Sequence, residues 1–275
     1  YFSRNLDKVL IGSIWGADAL GLYSRAYQLL MFPITNLRDP INRVAFPALS
    51  KLRHQTEDFR VYYQRLVSVL SFLSMPLTVY LFIGSDVIVE IVLGRQWVGV
   101  TPIFSVLAVV AFIQPCISTI GVVFLSLGQG AAYLRVGVIC SVVTVAGFLI
   151  GSAWGPLGVA LSYAVTMYAF VMPIGAVALR STPARASDFV RGIRNPCVAS
   201  IAAGAVSYVL RMMVPSLSTW NTFLLITPVF AVFYLVVFAL LPGGREMLTQ
   251  FSHSFLSRRK SRRSVGPIQV TRGAS

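Results

Sequence analysis

Long apolar stretches alternate with short polar segments along the whole chain. A helix needs about 20 largely apolar residues to cross the hydrocarbon of a bilayer. Seven stretches meet this requirement: Ala19–Phe46, Leu66–Ile83, Pro102–Leu127, Leu134–Ala153, Gly158–Leu179, Cys197–Met213 and Phe223–Leu241. An eighth, Tyr1–Gly16, has the pattern of a span whose beginning is missing. Because lipid offers no partner for backbone amides, each span must be helical. The pattern predicts an all-α integral membrane protein with about eight transmembrane helices, the first truncated.

Basic residues in the connections orient the predicted spans. Every second connection is richer in Lys and Arg than the one before it. Cytoplasmic loops of membrane proteins carry an excess of these residues. The richer connections, which we place in the cytoplasm, are Ser50–Arg60, Gly128–Arg135, Ser181–Asn195 and the C-terminal segment.

Two segments have patterns typical of a membrane surface. Ser85–Trp97 is too short and too charged to span the bilayer. Gly244–Lys260 places Met247, Phe251 and Phe255 at helical spacing ahead of a basic end. This second segment forms either an amphipathic helix on the inner leaflet or a disordered tail.

Composition excludes most soluble classes. The chain has 275 residues, of which 56% are hydrophobic and 12% charged, whereas soluble domains have about 25% charged residues. The formal net charge of +14 fits cytoplasmic loops beside anionic lipid better than nucleic acid. Cys116, Cys140 and Cys197 lie in apolar stretches without metal-ligand spacing, so we expect small buried side chains, with neither a disulfide nor a metal site.

A short motif occurs twice. Gly12–Gly16 and Gly151–Gly155 both read Gly-Ser-X-Trp-Gly, and each is followed within a few residues by Leu-Gly. Both motifs end a predicted helix on the outer side and fit the GxxxG pattern that lets helices approach closely. They are weak evidence for repeated helical hairpins.

Charged and polar residues inside the first two spans are the main anomaly. An Arg or Lys at the bilayer centre costs about 2.5–3.5 kcal/mol on insertion scales. The first span carries three such residues on one helical face: Arg4, Asp7 and Lys8. The second carries five within an arc of about 80°: Arg25, Gln28, Asn36, Asp39 and Arg43. The prolines of this span, Pro33 and Pro40, predict a kink.

Two explanations of these residues remain open. In the first, they form ion pairs that close a helix bundle, with Asp7 bound to Arg4 or Lys8 and Asp39 to Arg43 at i, i+4 spacing. In the second, they line an aqueous cavity. We favour the ion pair for Asp39 and Arg43, which we class as structural or gating residues with Pro33 and Pro40. Around Asp7, however, there are three cations, Arg4, Lys8 and Arg25, and one carboxylate. This excess of positive charge favours a cavity that receives an anion.

Motifs of enzyme chemistry are missing from the sequence. It contains no GxxxxGK[ST], HExxH or GxSxG, which are the patterns of nucleotide, zinc and hydrolase sites. His54 and His253 lie in a loop and in the tail. We expect no enzymatic activity, no catalytic residues, no metal and no cofactor.

Several motifs resemble the polysaccharide transporters, the oligosaccharide flippase branch of the MOP superfamily that includes the MATE proteins. The motifs that carry the resemblance occur in the family's order: Asn5–Gly12, Ala19–Tyr23, Ala26-Tyr27, Pro33, Val44–Ser50, Val92–Trp97 and Gly155–Ala160. Together they cover most of residues 1–180.

The resemblance implies two six-helix lobes around a cavity that opens alternately to either side of the bacterial inner membrane. Residues 1–180 would form the second lobe (helices 7–12), residues 181–242 an additional hairpin (helices 13 and 14), and residues 243–275 a cytoplasmic amphipathic or polybasic tail. The implied partners are membrane lipids, an undecaprenyl-diphosphate-linked oligosaccharide, the missing N-terminal lobe and other polysaccharide assembly proteins, with no nucleic acid.

On this hypothesis the first two spans hold the lipid diphosphate. Arg4, Lys8 and Arg25 would contact it, Asp7 would limit the strength of binding, and Gln28 and Asn36 would meet sugar hydroxyls. The alternatives are a MATE-like cation-coupled exporter, which predicts an acidic cavity, a non-transporting scaffold of a polysaccharide synthesis complex, and a membrane glycan polymerase.

Overall fold

The computed structural model describes residues 2–214, 218–247 and 249, with side chains from residue 5 onward. Within this part of the chain there is no strand, which confirms the all-α prediction. Nine α-helices follow one another in the described ranges: α1 (Phe2–Lys51), α2 (Thr56–Ile83), α3 (Ser85–Leu93), α4 (Thr101–Ser126), α5 (Gly130–Gly151), α6 (Gly155–Thr166), α7 (Met172–Ala178), α8 (Ala186–Met213) and α9 (Thr219–Leu240).

Five helical segments of the described chain are long and apolar enough to cross a membrane: Thr56–Ile83, Arg95–Ser126, Gly130–Ser181, Ala186–Met213 and Thr219–Leu240. The third contains two predicted spans, because α5 ends and α6 begins around Gly155. α1 is not among the five, since its charged residues lower its hydropathy. Its two spans therefore stay predictions. The protein is confirmed as an all-helical membrane protein.

Two helices begin about ten residues earlier than their predicted spans. α2 begins at Thr56 and α8 at Ala186, so the proposed cytoplasmic connections are largely helical. Hydropathy marks only the apolar part of a helix, and polar residues extend it beyond the hydrocarbon. Ser85–Trp97 contains the short helix α3 followed by a 3-10 turn. Of Gly244–Lys260, residues 244–247 and 249 are helical, and the rest lies outside the described residues.

The repeated motif forms two similar helix breaks. Gly16 has φ 82° and ψ −176°, and Gly155 has φ 74° and ψ −166°. Both conformations are readily adopted only by glycine. The two breaks also touch each other, because the Trp15 indole donates a hydrogen bond of 2.7 Å to the Ser152 carbonyl. The repeat predicted from sequence therefore corresponds to two helix ends that lie together.

The C-terminal hairpin of α8 and α9 is fixed to the rest of the protein at both ends. At one end Arg60 of α2 pairs with the buried Asp188 at 3.0 Å. At the other end Arg211 binds Asp86 and the carbonyl of Ile83. Between them α8 packs along α2. Aromatic residues of α2 and α9 form a hydrophobic cluster beside α8: Phe72, Tyr80, Phe230, Tyr234 and Phe238.

The close contact between α5 and α6 gives a stability test. A Cβ at Gly151 would lie 2.5 Å from the Gly158 carbonyl oxygen, and overpacking of this kind costs about 1–3 kcal/mol. We expect Gly151→Ala to lower the midpoint of thermal unfolding in detergent by a few degrees. Gly137→Ala is the matched control in the same helix, because a Cβ there has no atom within 4 Å. Equal effects of the two substitutions would contradict the packing.

Candidate functional site

One side of α1 after its break is polar and exposed. We call this the exposed polar face; its polar residues are Arg25, Gln28, Asn36 and Arg43, and Phe32 is exposed among them. The opposite side is fully buried against the core through Tyr23, Ala26, Leu30 and Ile34. Because an α-helix repeats every 3.6 residues, the buried stripe fixes the direction of the polar one. These four polar residues of α1 therefore point away from the buried core.

Two cations of α1 lie against aromatic rings. The Lys8 ammonium is 5.3 Å from the centre of the Tyr27 ring, and the Arg25 guanidinium is 5.6 Å from the centre of the Trp97 ring. Neither forms an ion pair with any residue whose side chain the structure describes. Ring contacts of this kind attract a cation without neutralising it. Lys8 and Arg25 thus keep their charge available to an anion.

Asp7 points away from the exposed polar face and into the protein. Its side chain is buried, with 3% of its surface exposed. One carboxylate oxygen accepts a hydrogen bond of 2.9 Å from the Tyr23 hydroxyl, and the other accepts one of 2.8 Å from the Lys8 backbone N–H. Of the two explanations left open by the sequence, the ion pair of Asp7 with Lys8 does not form among the described residues: the carboxylate faces the second half of α1 and binds a tyrosine. The side chain of Arg4 lies outside the described residues.

Asp7 borders a polar cavity of about 380 Å³ between α1, α4, α5 and α6. We call this the interior cavity. Its polar lining consists of Asp7, Tyr27, Thr35, Arg38, Gln114, Ser141, Thr144 and Tyr163. Gln114 donates a hydrogen bond of 3.1 Å to Tyr163, while its amide oxygen is buried without a partner in the described part of the chain. The cavity is large enough for several water molecules.

Arg38 lines this cavity and forms the ion pair with Asp39 that the sequence predicted for Arg43. Its Nε and Nη2 lie 2.9 and 2.8 Å from one oxygen of Asp39. The predicted Asp39–Arg43 pair is wrong, because the adjacent guanidinium of Arg38 reaches the carboxylate and Arg43 stays exposed. Helical backbone angles continue through Pro33 and Pro40, and the break in α1 is at Gly16.

The proline positions still alter the polarity of α1. Proline has no N–H to donate to the carbonyl four residues earlier. Pro40 and Pro47 therefore leave the carbonyls of Asn36 and Arg43 without their usual helical donor. Both carbonyls belong to residues of the exposed polar face, so this side of α1 gains polar backbone as well as polar side chains.

Arg38 and the uncharged polar residues of the interior cavity were not among the residues predicted from the sequence. Arg38 falls outside the arc that grouped Arg25 with Arg43, and Gln114 lies in a span without charges. A search for uncharged polar residues at helical spacing would have found Ser141 and Thr144, three residues apart. Which helices bring these residues together could not be predicted from spacing alone.

Comparison with known proteins confirms the resemblance. Residues 1–102 match the family described as "Polysaccharide biosynthesis protein". The teichuronic acid biosynthesis protein TuaB of Bacillus subtilis (strain 168) is 34% identical over 125 residues, which are 46% of this chain and 26% of that protein. The lipopolysaccharide biosynthesis protein WzxC of Escherichia coli (strain K12) is 28% identical over 164 residues, 59% of this chain and 33% of that protein.

A third relative is the amylovoran biosynthesis protein AmsL of Erwinia amylovora, 23% identical over 148 residues, 54% of this chain and 38% of that protein. The chain thus spans about a third of the length of these relatives. No solved structure matches it. The matches support a polysaccharide transporter family, and residues 1–102 contain every candidate residue of α1.

The Tyr23 hydrogen bond to Asp7 can be tested by a double-mutant cycle. Tyr23→Phe removes the only side-chain donor to Asp7 in the described structure, and an unsatisfied buried acceptor costs about 1–3 kcal/mol. We expect a lower midpoint of thermal unfolding in detergent. Combining Tyr23→Phe with Asp7→Asn should destabilise less than the sum of the two single substitutions. Simple additivity, or an effect no larger than that of Tyr62→Phe in α2, would contradict the contact.

Proposed function

We propose that the chain is the second lobe of a flippase in the bacterial inner membrane, with a cytoplasmic C-terminus. The flippase moves undecaprenyl-diphosphate-linked oligosaccharide units from the inner to the outer leaflet by alternating access. Three relatives are named for three different polysaccharides. Because the glycans differ, the substrate feature that such proteins have in common would be the lipid diphosphate.

The observation that carries this proposal is that Lys8 and Arg25 lack carboxylate partners in the described structure. Both are in segments predicted to lie within the membrane, and neither is paired with a carboxylate in the described structure. A cation at this depth is tolerated where it faces a water-filled cavity or an anion. The exposed polar face of α1 would supply one wall of that cavity, and the N-terminal lobe the other.

The chemistry of this wall suits a diphosphate that carries sugars. Arg25 presents a forked donor and Lys8 a point charge, which are the two side chains that bind phosphate groups in proteins. Arg4 would join them from the first span. Gln28 and Asn36, further along the exposed polar face, would meet sugar hydroxyls. The polyprenyl chain would stay in lipid.

In this proposal Asp7 does not contact the substrate and acts only through its charge. Its carboxylate faces the interior cavity, close behind Lys8 in the chain, so its charge lowers the local positive potential without touching the substrate. This would keep diphosphate binding weak enough for release. Asp39 with Arg38, and Pro33 with Pro40, would shape the cytoplasmic half of the same helix during opening and closing.

The fixed hairpin bears on how the lobe moves. Because α8 and α9 are bound to α2 and α3 at both ends, residues 1–180 and 181–242 would move together as one body. Alternating access would then be a rocking of this body against the N-terminal lobe, with the exposed polar face at their interface.

Charge reversal tests the proposal in cells. We expect Lys8→Glu and Arg25→Glu in the full-length protein to reduce surface polysaccharide about tenfold or more, since each charged hydrogen bond to the diphosphate is worth about 1.5–3 kcal/mol. Lys51→Glu and Arg53→Glu, both exposed near the predicted cytoplasmic end of α1, are the matched controls. Undiminished polysaccharide at normal expression would discard the assignment.

The same variants separate the alternatives. A non-transporting scaffold predicts that all four reversals leave polysaccharide export intact, or that only the cytoplasmic ones disturb it. A cation-coupled exporter predicts that added acidic charge at residues 8 and 25 preserves or enhances resistance to cationic drugs.

A further inference from the structure

A cleft between α2, α4 and α8 opens at the end of these helices predicted to be outer. Its wider part has a volume of about 690 Å³ and is bordered by α3 and the start of α9. A second, narrower pocket of about 180 Å³ adjoins it further along the same three helices and is also bordered by Tyr168. Phe82 lines both parts. We call the two parts together the outer cleft.

The outer cleft changes from polar to apolar with depth. Asp86, Glu90 and Arg211 line the wide part, whereas Val79 and Phe112 line the deep part. Along α4 the lining runs from Thr101 to Phe112, a distance of about 16 Å at 1.5 Å per residue. This is about half of the ~30 Å hydrocarbon thickness. The outer cleft therefore has the length and polarity profile of one membrane leaflet.

The polar part contains buried oxygen atoms that have no partner. One oxygen of Asp86 binds Arg211, but the other is buried and accepts no hydrogen bond from the described residues. The Thr101 hydroxyl is unpartnered in the same way within the described chain. Burial raises the pKa of Asp86, but the hydrogen bond and charge of Arg211 together with backbone hydrogen bonds outweigh burial and leave this pKa lowered. Asp86 is therefore ionised at neutral pH, and its side chain is about half exposed to the cleft.

Glu90 adds a second carboxylate that is already engaged. It accepts hydrogen bonds from Arg95 at 2.8 Å and from Thr219 at 3.0 Å, and the bond from Arg95 lowers its pKa. Among the charged groups that line the wide part, two carboxylates thus stand beside one guanidinium. A head group that carries only negative charge fits this arrangement poorly, whereas one that combines an ammonium with a phosphate matches it.

We propose that the outer cleft binds one phospholipid of the outer leaflet whose head group carries a primary ammonium. The ammonium donates to the exposed part of the carboxylate pair Asp86 and Glu90, the phosphate accepts from Arg211, and one acyl chain lies in the apolar part below Phe82. Such a lipid joins α4 to the C-terminal hairpin. It occupies a site separate from the exposed polar face of α1 and does not depend on transport.

Native mass spectrometry of the full-length protein tests this site. The protein is delipidated in detergent and titrated separately with phosphatidylethanolamine, phosphatidylcholine and phosphatidylglycerol. The trimethylated amine of phosphatidylcholine cannot donate, and phosphatidylglycerol has no amine. We expect about tenfold tighter binding of phosphatidylethanolamine than of either other lipid, the ratio expected for one charge-assisted hydrogen bond. Equal binding of the three lipids would overturn the proposal.

Variants locate the site. Asp86→Asn should remove the preference for phosphatidylethanolamine, while Glu57→Gln, an exposed carboxylate at the other end of α2, should retain it. Because Asp86 also holds Arg211, Ser105→Trp provides a second variant that fills the cleft and leaves this pair intact. Leu125→Trp, exposed on α4 beyond the cleft, is its control. Retention of the full preference in Ser105→Trp would overturn the proposal even if Asp86→Asn does not fold.

Discussion

A cation placed inside the hydrocarbon layer is stable only if water, an anion or an electron-rich ring takes the place of its hydration shell. α1 meets this constraint in two ways. Lys8 and Arg25 rest against the rings of Tyr27 and Trp97, and the exposed polar face continues their polarity along the helix. Rings hold these charges without cancelling them, which distinguishes a surface that receives an anion from one closed by ion pairs. The transport proposal depends on this distinction.

The same helix separates two polar environments. The exposed polar face lies on one side, and Asp7 and Arg38 border the interior cavity on another. Each side has its own electrostatic character: Arg25 and Arg43 stand on the exposed polar face without carboxylate partners in the described structure, whereas the interior cavity is lined by Asp7, by Arg38 with its partner Asp39, and by hydroxyl and amide groups. Glycine breaks at Gly16 and Gly155 place these segments side by side, and the ion pairs of Asp188 and Arg211 hold the hairpin against them.

Hydropathy predicted the fold class and the order of the helices because membrane helices must satisfy their backbone internally. It placed the beginnings of α2 and α8 too late, since polar residues continue a helix in water. The direction of the polar arc on α1 was also predictable, because 3.6-residue periodicity relates Arg25 to Gln28 and Asn36. The partners of Asp7 and Asp39 were not predictable, because i, i+4 spacing permits an ion pair but does not show that it forms. Tyr23 binds Asp7 because the helix break brings the two halves of α1 together, and Arg38 binds Asp39 because its side chain is long enough to reach the adjacent carboxylate.

Thiol accessibility tests most directly whether the exposed polar face is wet. Single cysteines would replace Arg25, Gln28 and Asn36 in the full-length protein after Cys116, Cys140 and Cys197 have been changed to Ala. Thiolates react with charged methanethiosulfonates in water and not in lipid. We predict rapid labelling at all three positions and none at Val232→Cys, which is exposed on α9. Protection of residues 25, 28 and 36 to the level of residue 232 would contradict the account.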